Sequence, residues 1–255
     1  QLHAVTANNM WRKVKERSEI VGITNAIHLP TWVDNRMVEA AENGGDLWNT
    51  HVDNKRKLLA FINERTNVQL KDVCLLIGFS RRAVPYKRSD FIFKDRPKID
   101  ALFRSGKLQI VFSGKAHPLD DRGKEIVENI VALTKEYPTS VVFLENYDMT
   151  IGAALVRGSD IWLNNPRRPQ EASGTSGMKA AINGVLNLSI LDGWWPEACQ
   201  HGINGWQIGD GYENRNEDKL DAHDQKAIYK VLLNEVVPCY YNNRNKWIEM
   251  MKQSI

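Results

Sequence analysis

Cysteine is scarce in this 255-residue chain, and Cys74, Cys199 and Cys239 are an odd number at unrelated spacings. That pattern argues against a disulfide framework and against a zinc site, and fits core thiols in a reducing compartment. Long apolar runs are missing too. No stretch approaches the roughly 20 residues that span a bilayer, and the start of the chain carries no signal-like apolar segment, so the expectation is a cytoplasmic protein without a membrane partner. Charge of one sign is not in excess. A formal net charge of +3 with 25% charged residues mixes both signs, so a nucleic-acid or membrane-surface role would need a local basic cluster. Only Arg81 to Arg88 offers one, and no nucleic-acid partner is expected. Internal repeats, low-complexity tracts, Gly/Ser linkers and metal-ligand spacings are all lacking, so no metal is expected either.

Apolar material is ample, with 42% hydrophobic residues, enough for a sizeable core. Short apolar runs, Val73 to Ile77, Leu108 to Phe112, Val141 to Leu144, Asp160 to Leu163 and Val185 to Ile190, alternate with longer helix-period segments. Runs that are apolar throughout fit strands buried on both faces, so the expected fold is α/β: one doubly wound, Rossmann-like parallel sheet. Helices are expected over Asp46 to Asn67, Asp120 to Tyr137 and Asp224 to Val237. Pro97 is expected to interrupt a helical region from about Tyr86 to Ser105. The asparagine-rich acidic run Gly209 to Asp224 reads as a solvated loop. Residues 1–45 read as a lead-in and 46–255 as the lobe proper. The chain opens on Gln1 and stops at Ile255 inside an amphipathic pattern without a helix stop, which suggests a fragment.

One segment stands out. Glu171-Ala172-Ser173-Gly174-Thr175-Ser176-Gly177-Met178-Lys179 combines a carboxylate, three hydroxyls, two glycines and a lysine in nine residues, at an expected loop-to-helix junction. Glycines let backbone N–H groups approach a ligand, hydroxyls supply caps and donors, and a helix N-terminus favours an anion such as phosphate. Lys179 would lie one turn inside, where the positive dipole end favours the neutral amine that Schiff-base chemistry requires. No Gly-Lys-Ser/Thr ending is present, which rules out a Walker A loop. A glycine-softened helix start with a solvated lysine stays open. Arg81, Arg82, Lys87 and Arg88 place four cations in eight residues just after an apolar run, a composition suited to phosphate, with Arg88 set aside as structural or surface. His28 and His117, beside Pro30 and Pro118, read as loop-orienting hydrogen bonders rather than catalysts. Trp194, Trp195 and Trp206 either pack or stack on a sugar.

Glu171 to Lys179, continued by Ala180-Ala181-Ile182-Asn183-Gly184 and Leu191-Asp192-Gly193, resembles the pyridoxal-phosphate segment of the α-glucan (glycogen, starch, maltodextrin) phosphorylases, in their shorter bacterial and archaeal form. Phe143-Leu144-Glu145-Asn146-Tyr147, the stretch Arg81 to Arg88, and Asn25-Ala26-Ile27-His28-Leu29-Pro30-Thr31-Trp32 resemble further motifs of that family in the expected order. The resemblance implies the C-terminal lobe of a two-lobed enzyme, with residues 1–45 crossing from the other lobe. It implies pyridoxal 5'-phosphate as cofactor, held by Lys179 with Thr175, Ser176, Arg81 and Tyr147. It implies that Arg82 contacts inorganic phosphate, that Lys87 lies between the two phosphates, and that Glu171, Ser173, Gly174, Tyr86 and Asn25 bind the sugar.

The implied reaction is reversible phosphorolysis of an α-1,4-glucan to glucose 1-phosphate with retention. The phosphate of the cofactor would serve as acid and base, and the isolated fragment would be inactive. A homo-oligomeric full-length protein stays open. Two positions depart from the longer family members: Arg81 stands where many carry lysine, and Asp148 stands where they carry an arginine near the cofactor phosphate. Three rivals remain. A retaining nucleotide-sugar glucosyltransferase would place an acidic residue where this chain has Lys179. A transaminase-type enzyme would need a carboxylate for the pyridine nitrogen, and none is paired with Lys179 in the sequence. The third is a glucan-binding or cofactor-binding module without turnover.

Overall fold

In the computed structural model, which describes residues 2–255, the sheet contains β1 (Leu75–Ser80), β2 (Leu108–Ser113), β3 (Val141–Leu144), β4 (Ile161–Asn164), β5 (Leu186–Ile190) and β6 (Gly205–Ile208). All pairings are parallel, in the order β3-β2-β1-β4-β5-β6. The helices are α1 (Leu2–Trp11), α2 (Leu29–Trp32), α3 (Asn35–Glu42), α4 (Leu47–Thr66), α5 (Arg96–Arg104) and α6 (Asp121–Glu136). They continue with α7 (Met149–Gly158), α8 (Thr175–Ala181), α9 (Trp195–Ala198), α10 (Glu217–Val231), α11 (Val237–Asn242) and α12 (Arg244–Ser254). Among the described residues no helix is long and apolar enough to cross a membrane.

The period-2 alternation of β1 explains why both faces must be covered. Leu75, Ile77 and Phe79 enter a core with Ile99, Phe103, Phe112, Trp206 and Trp247, under α3, α5, α6 and α10 to α12. Leu76 faces the other way, into a core of Leu58, Ile62, Leu155 and Trp162 under α4 and α7. Each such side chain removed from water contributes about 1.5–3 kcal/mol. Burial of this kind is what keeps α8 helical, since seven residues would not hold a helix alone. The chain winds one way from β1 through β2 to β3 and then returns to β4 on the far side of β1, so the topological switch point lies between the carboxyl ends of β1 and β4. Ligands of such sheets collect there.

At the amino ends of the central strands β1 and β4, away from that switch point, a charged cluster is fully buried. Lys55 Nζ donates to Asp160 Oδ2 at 2.5 Å, to the Cys74 carbonyl at 2.5 Å and to Tyr240 Oη at 3.0 Å, and His51 Nε2 lies 2.9 Å from Asp160 Oδ1. Burial pushes the Asp160 carboxyl up, but Lys55 and His51 outweigh it and hold it below the ordinary carboxylate range.

The sheet is doubly wound, as the apolar runs lead one to expect, but several local expectations change. β6 is an additional strand. The acidic run is loop only to Asn216, whose side chain accepts the Lys219 N–H and starts α10 at Glu217. The expected helix from Asp224 to Val237 is the end of α10, a π-helical turn over Leu232–Val236, and the start of α11. Pro97 does not interrupt a helix. It sits in the first turn of α5, where its missing N–H leaves no bond unmade, and the preceding residues form two short 3-10 turns, Pro85–Lys87 and Phe91–Phe93.

Candidate active site

Residues following β1, β2, β3 and β4 line an open cleft of about 740 Å³ together with Asn25. Arg81 is the first residue beyond β1, and its N–H extends the ladder to the Ser113 carbonyl at 3.2 Å. Its side chain crosses the switch point to Asn164 at the end of β4 and to Glu171 Oε2, at 2.6 Å from the latter. Lys87, on the first 3-10 turn, reaches the same Glu171 oxygen at 2.7 Å. One carboxylate oxygen therefore holds two largely buried cations. Arg82 and Lys115 are exposed on the wall of the cleft, with no carboxylate partner among the described residues. Two of the cleft's cations are thus free to receive an anion.

The Glu171 segment turns into α8 at Gly174, whose φ of +81° is left-handed and suits a residue without Cβ. Thr175 and Ser176 open the helix and line the cleft. Ser176 Oγ also receives the Trp162 indole N–H at 3.2 Å. α8 is pinned to β5 by Asn187, which donates to the Gly177 carbonyl at 3.0 Å. Ser173 Oγ is buried without a partner.

Lys179 lies in the cleft, but its surroundings differ from the expected ones. α8 has only seven residues, so Lys179 sits in its last turn and the positive dipole end is not what acts on it. Burial instead pulls its pKa below the ordinary lysine value. Nζ stands 3.5 Å from the Trp32 ring centroid. That ring is held in place by Arg157, which donates to the carbonyls of Thr31, Trp32 and Val33, and by Asn183, which donates to the Trp32 carbonyl at 3.0 Å.

Of the residues singled out in the sequence, Asn25, Arg81, Arg82, Tyr147, Glu171, Ser173, Gly174, Thr175, Ser176 and Lys179 all border the one cleft. Lys87 joins them through Glu171. Tyr86 does not line the cleft; its ring lies under Lys87 Nζ, 4.9 Å away, and its carbonyl accepts the Arg167 N–H. Burial raises the Tyr147 phenol. Glu145 and Asn146 turn toward a separate groove beside α4 and α6.

Arg88 is structural: it is buried and bonds to the carbonyls of Asn165 and Pro166 and to Asp221 and Asp224. Asp148 caps α7 by accepting the Ile151 N–H. His28 bonds to Thr31 and His117 accepts the Leu119 N–H, both inside their own loops. Trp195 and Trp206 are packed in the interior. Cys74 and Cys239 are buried free thiols and Cys199 is a half-buried one.

Trp32, Lys115 and Asp192 are the residues the sequence did not single out for a role. Asp192 follows β5, so the rule that ligands gather at carboxyl ends of strands was the available signal. Trp32 lay within the family-like stretch Asn25 to Trp32, and Lys115 within Gly114-Lys115-Ala116-His117-Pro118, which is similar to a further family segment, but neither had a role assigned.

A family model described as carbohydrate phosphorylase matches residues 35–202. The chain is 38% identical over 299 aligned residues to the maltodextrin phosphorylase of Thermococcus litoralis, covering 100% of this chain and 36% of that protein. It is 36% identical to the glycogen phosphorylase of Aquifex aeolicus, covering 99% of this chain and 43% of that protein. With the glycogen phosphorylase of Mycobacterium bovis the identity is 38%, over 71% of this chain and 22% of the other. The chain thus spans well under half the length of these relatives.

Proposed function

We propose, from the premise that the chain belongs to the carbohydrate phosphorylase family, that it forms the phosphate- and cofactor-binding lobe of an α-1,4-glucan phosphorylase, a cytoplasmic enzyme. The substrates are a glucan and inorganic phosphate, the product is glucose 1-phosphate, and the anomeric configuration is retained. The observation that carries this is the meeting of Arg81, Arg82, Lys87, Lys179 and Glu171 at the switch point of the sheet.

Pyridoxal 5'-phosphate suits the donor set. Lys179 has no carboxylate partner among the described residues and burial disfavours its charged form; Ser173 Oγ is buried and unpartnered; Arg82 and Lys115 are unpaired cations. Lys179 would hold the group covalently, Thr175, Ser176 and Arg81 would contact its phosphate, and Tyr147 would line its ring. When bound, the group supplies a phosphate that exchanges a proton with the substrate phosphate.

Arg82 and Lys87 then receive inorganic phosphate, Arg82 through its planar fork and Lys87 as a point charge. Glu171, Ser173, Gly174 and Asn25 direct hydrogen bonds at the glucosyl hydroxyls, with Tyr86 behind Lys87. Two anions brought to about 4 Å repel by about 4 kcal/mol per pair of unit charges at an effective dielectric of 20. Neutralising that repulsion is the task of Arg81, Arg82 and Lys87. One Glu171 oxygen bridges Arg81 and Lys87, so an arriving phosphate competes with it for these cations and frees the carboxylate for the sugar.

Activity belongs to the complete gene product in this reading, because water must be excluded from the open side of the cleft. The test is to incubate the complete protein with maltodextrin and phosphate and to measure glucose 1-phosphate, beside the 255-residue chain alone. We expect product with the former and background with the latter. A complete protein that binds pyridoxal phosphate yet transfers glucose from a nucleotide sugar, and not to phosphate, would overturn the proposal.

A further inference from the structure

Asp192 sits at the carboxyl end of β5 in a turn closed by its own N–H to the Ile190 carbonyl at 2.8 Å. Both carboxylate oxygens are in use: Oδ2 accepts the Glu171 backbone N–H at 2.8 Å, and Oδ1 accepts the Gly193 N–H at 3.0 Å. Two further contacts join the same turn to the same loop. The Trp194 N–H donates to the Ser173 carbonyl at 2.9 Å. Gly193, at φ +64°, lies so close that an added Cβ would collide with the Ser173 carbonyl oxygen. Arg168 braces the turn from outside, donating to the Leu191 carbonyl and to Glu213.

Across Glu171, Ala172 and Ser173 the backbone hydrogen bonds of the loop go to this turn. The Glu171 side chain itself points away from it, to Arg81 and Lys87. A single side chain therefore fixes the Glu171 backbone, and a small rotation there would swing the carboxylate off both cations and off any ligand.

We propose, resting on the sugar-binding reading of Glu171, that Asp192 is a positioning residue, whose hydrogen bond to the Glu171 N–H aims the Glu171 carboxylate into the cleft. The charged groups that act on Asp192 are Glu171, Arg81 and Arg168, the last itself paired with Glu213. Burial, with the Glu171 carboxylate adding to it, pushes the Asp192 carboxyl up to about 6.

The experiment compares Asp192→Ala and Asp192→Asn in the complete protein by two readouts. The first is amide hydrogen exchange of the segment 171–174, which needs no activity. Alanine removes the acceptor, so exchange there should rise about 10-fold, while asparagine, which can still accept the Glu171 N–H, should stay within about 3-fold of wild type. The second is kinetic: KM for maltodextrin should rise about 10-fold or more in Asp192→Ala, with KM for phosphate within about 2-fold and cofactor content retained. Asp192→Asn should recover the maltodextrin KM. Unchanged exchange in Asp192→Ala overturns the clamp, and loosened exchange with unchanged maltodextrin KM overturns its role in aiming Glu171. Wild-type protein without phosphorolysis would instead defeat the functional proposal, leaving the exchange result to judge Asp192 alone.

Discussion

Lys179 Nζ stands 3.5 Å from the centroid of the Trp32 ring, so the one lysine of the Glu171 segment meets an aromatic face rather than a carboxylate. Burial makes the amine lose its proton more readily than an ordinary lysine does. The neutral amine that burial favours is the form that bonds to an aldehyde.

Borohydride reduction of the purified complete protein should accordingly leave a pyridoxyl label on Lys179, located by peptide mapping. Lys179→Ala should show no covalent label. A label on Lys115, the other lysine bordering the cleft, would move the cofactor to a different wall and defeat the assignment.

Arg82 and Lys87 should separate when each is replaced. Arg82 is exposed and unpaired, so Arg82→Ala should fold normally and weaken phosphate about 10-fold to 100-fold, the scale of a charge-assisted hydrogen bond of about 1.5–3 kcal/mol. Lys87 is largely buried against Glu171. Lys87→Ala should impair phosphate binding and also lower the melting temperature, because Glu171 is left with Arg81 alone. Steady-state phosphate kinetics together with thermal unfolding distinguish the two. Equal loss of stability in both variants would contradict the different burial of the two cations.

Asp192 should make stability depend on pH in a particular direction. Its folded-state pKa of about 6 lies above the ordinary 3.8, so the folded chain holds the proton more tightly than the unfolded one. Protonation at this site therefore favours folding at low pH, and that advantage is lost as pH rises from about 4 through about 6. Asparagine removes the charge whose burial is unfavourable. Asp192→Asn should be more stable than wild type at pH 8, by about 1–2 kcal/mol after allowing for solvent screening, and no more stable at pH 4. Thermal unfolding at the two pH values checks this, and an equal effect at both would show that the carboxylate carries no such penalty.

The parallel sheet was legible because strands covered on both faces must be mainly apolar, as the fully buried β1 and β2 are, with Gln109 and the terminal Ser80 and Ser113 the exceptions. β6 escaped notice because Gly205-Trp206-Gln207-Ile208 is short and half-exposed at Gln207, as an edge strand can be. The start of α10 hid inside an acidic run, although an Asn216 cap followed by Glu217 and Asp218 is itself a helix-start pattern. In the site, residues following strand ends could be named from sequence because strand order brings those ends together. Trp32 and Asp192 stood in stretches already set apart but received no role, since one contacts Lys179 from α2 and the other acts through a backbone N–H some twenty positions away. Lys179 borders the cleft in surroundings other than those expected: a helix dipole was expected, and a seven-residue helix with a half-buried lysine in its last turn supplies desolvation instead.

The buried cluster of Lys55, Asp160 and His51 should govern stability without touching the cleft, because it lies at the amino ends of β1 and β4 and the cleft at their carboxyl ends. Asp160→Asn keeps an acceptor for the Leu76 N–H, which Asp160 Oδ2 now receives at 2.7 Å, but strands the Lys55 ammonium in the interior. Breaking such a pair costs about 3–5 kcal/mol, on the order of 10 °C in melting temperature for a chain of this size. Adding Lys55→Met removes the stranded charge, so the double variant should melt above Asp160→Asn alone even though the Cys74 carbonyl and Tyr240 Oη lose a donor. The pH dependence follows from the sign of the shift. Asp160 titrates below its ordinary 3.8 when folded, so its contribution is complete above that value and is lost as pH falls through the folded-state pKa. Wild type should therefore lose stability in strong acid more steeply than the double variant. If the double variant melts no higher than Asp160→Asn, an unpaired ammonium is not what destabilises the single variant, and the cluster acts through its hydrogen bonds to Cys74 and Tyr240 instead.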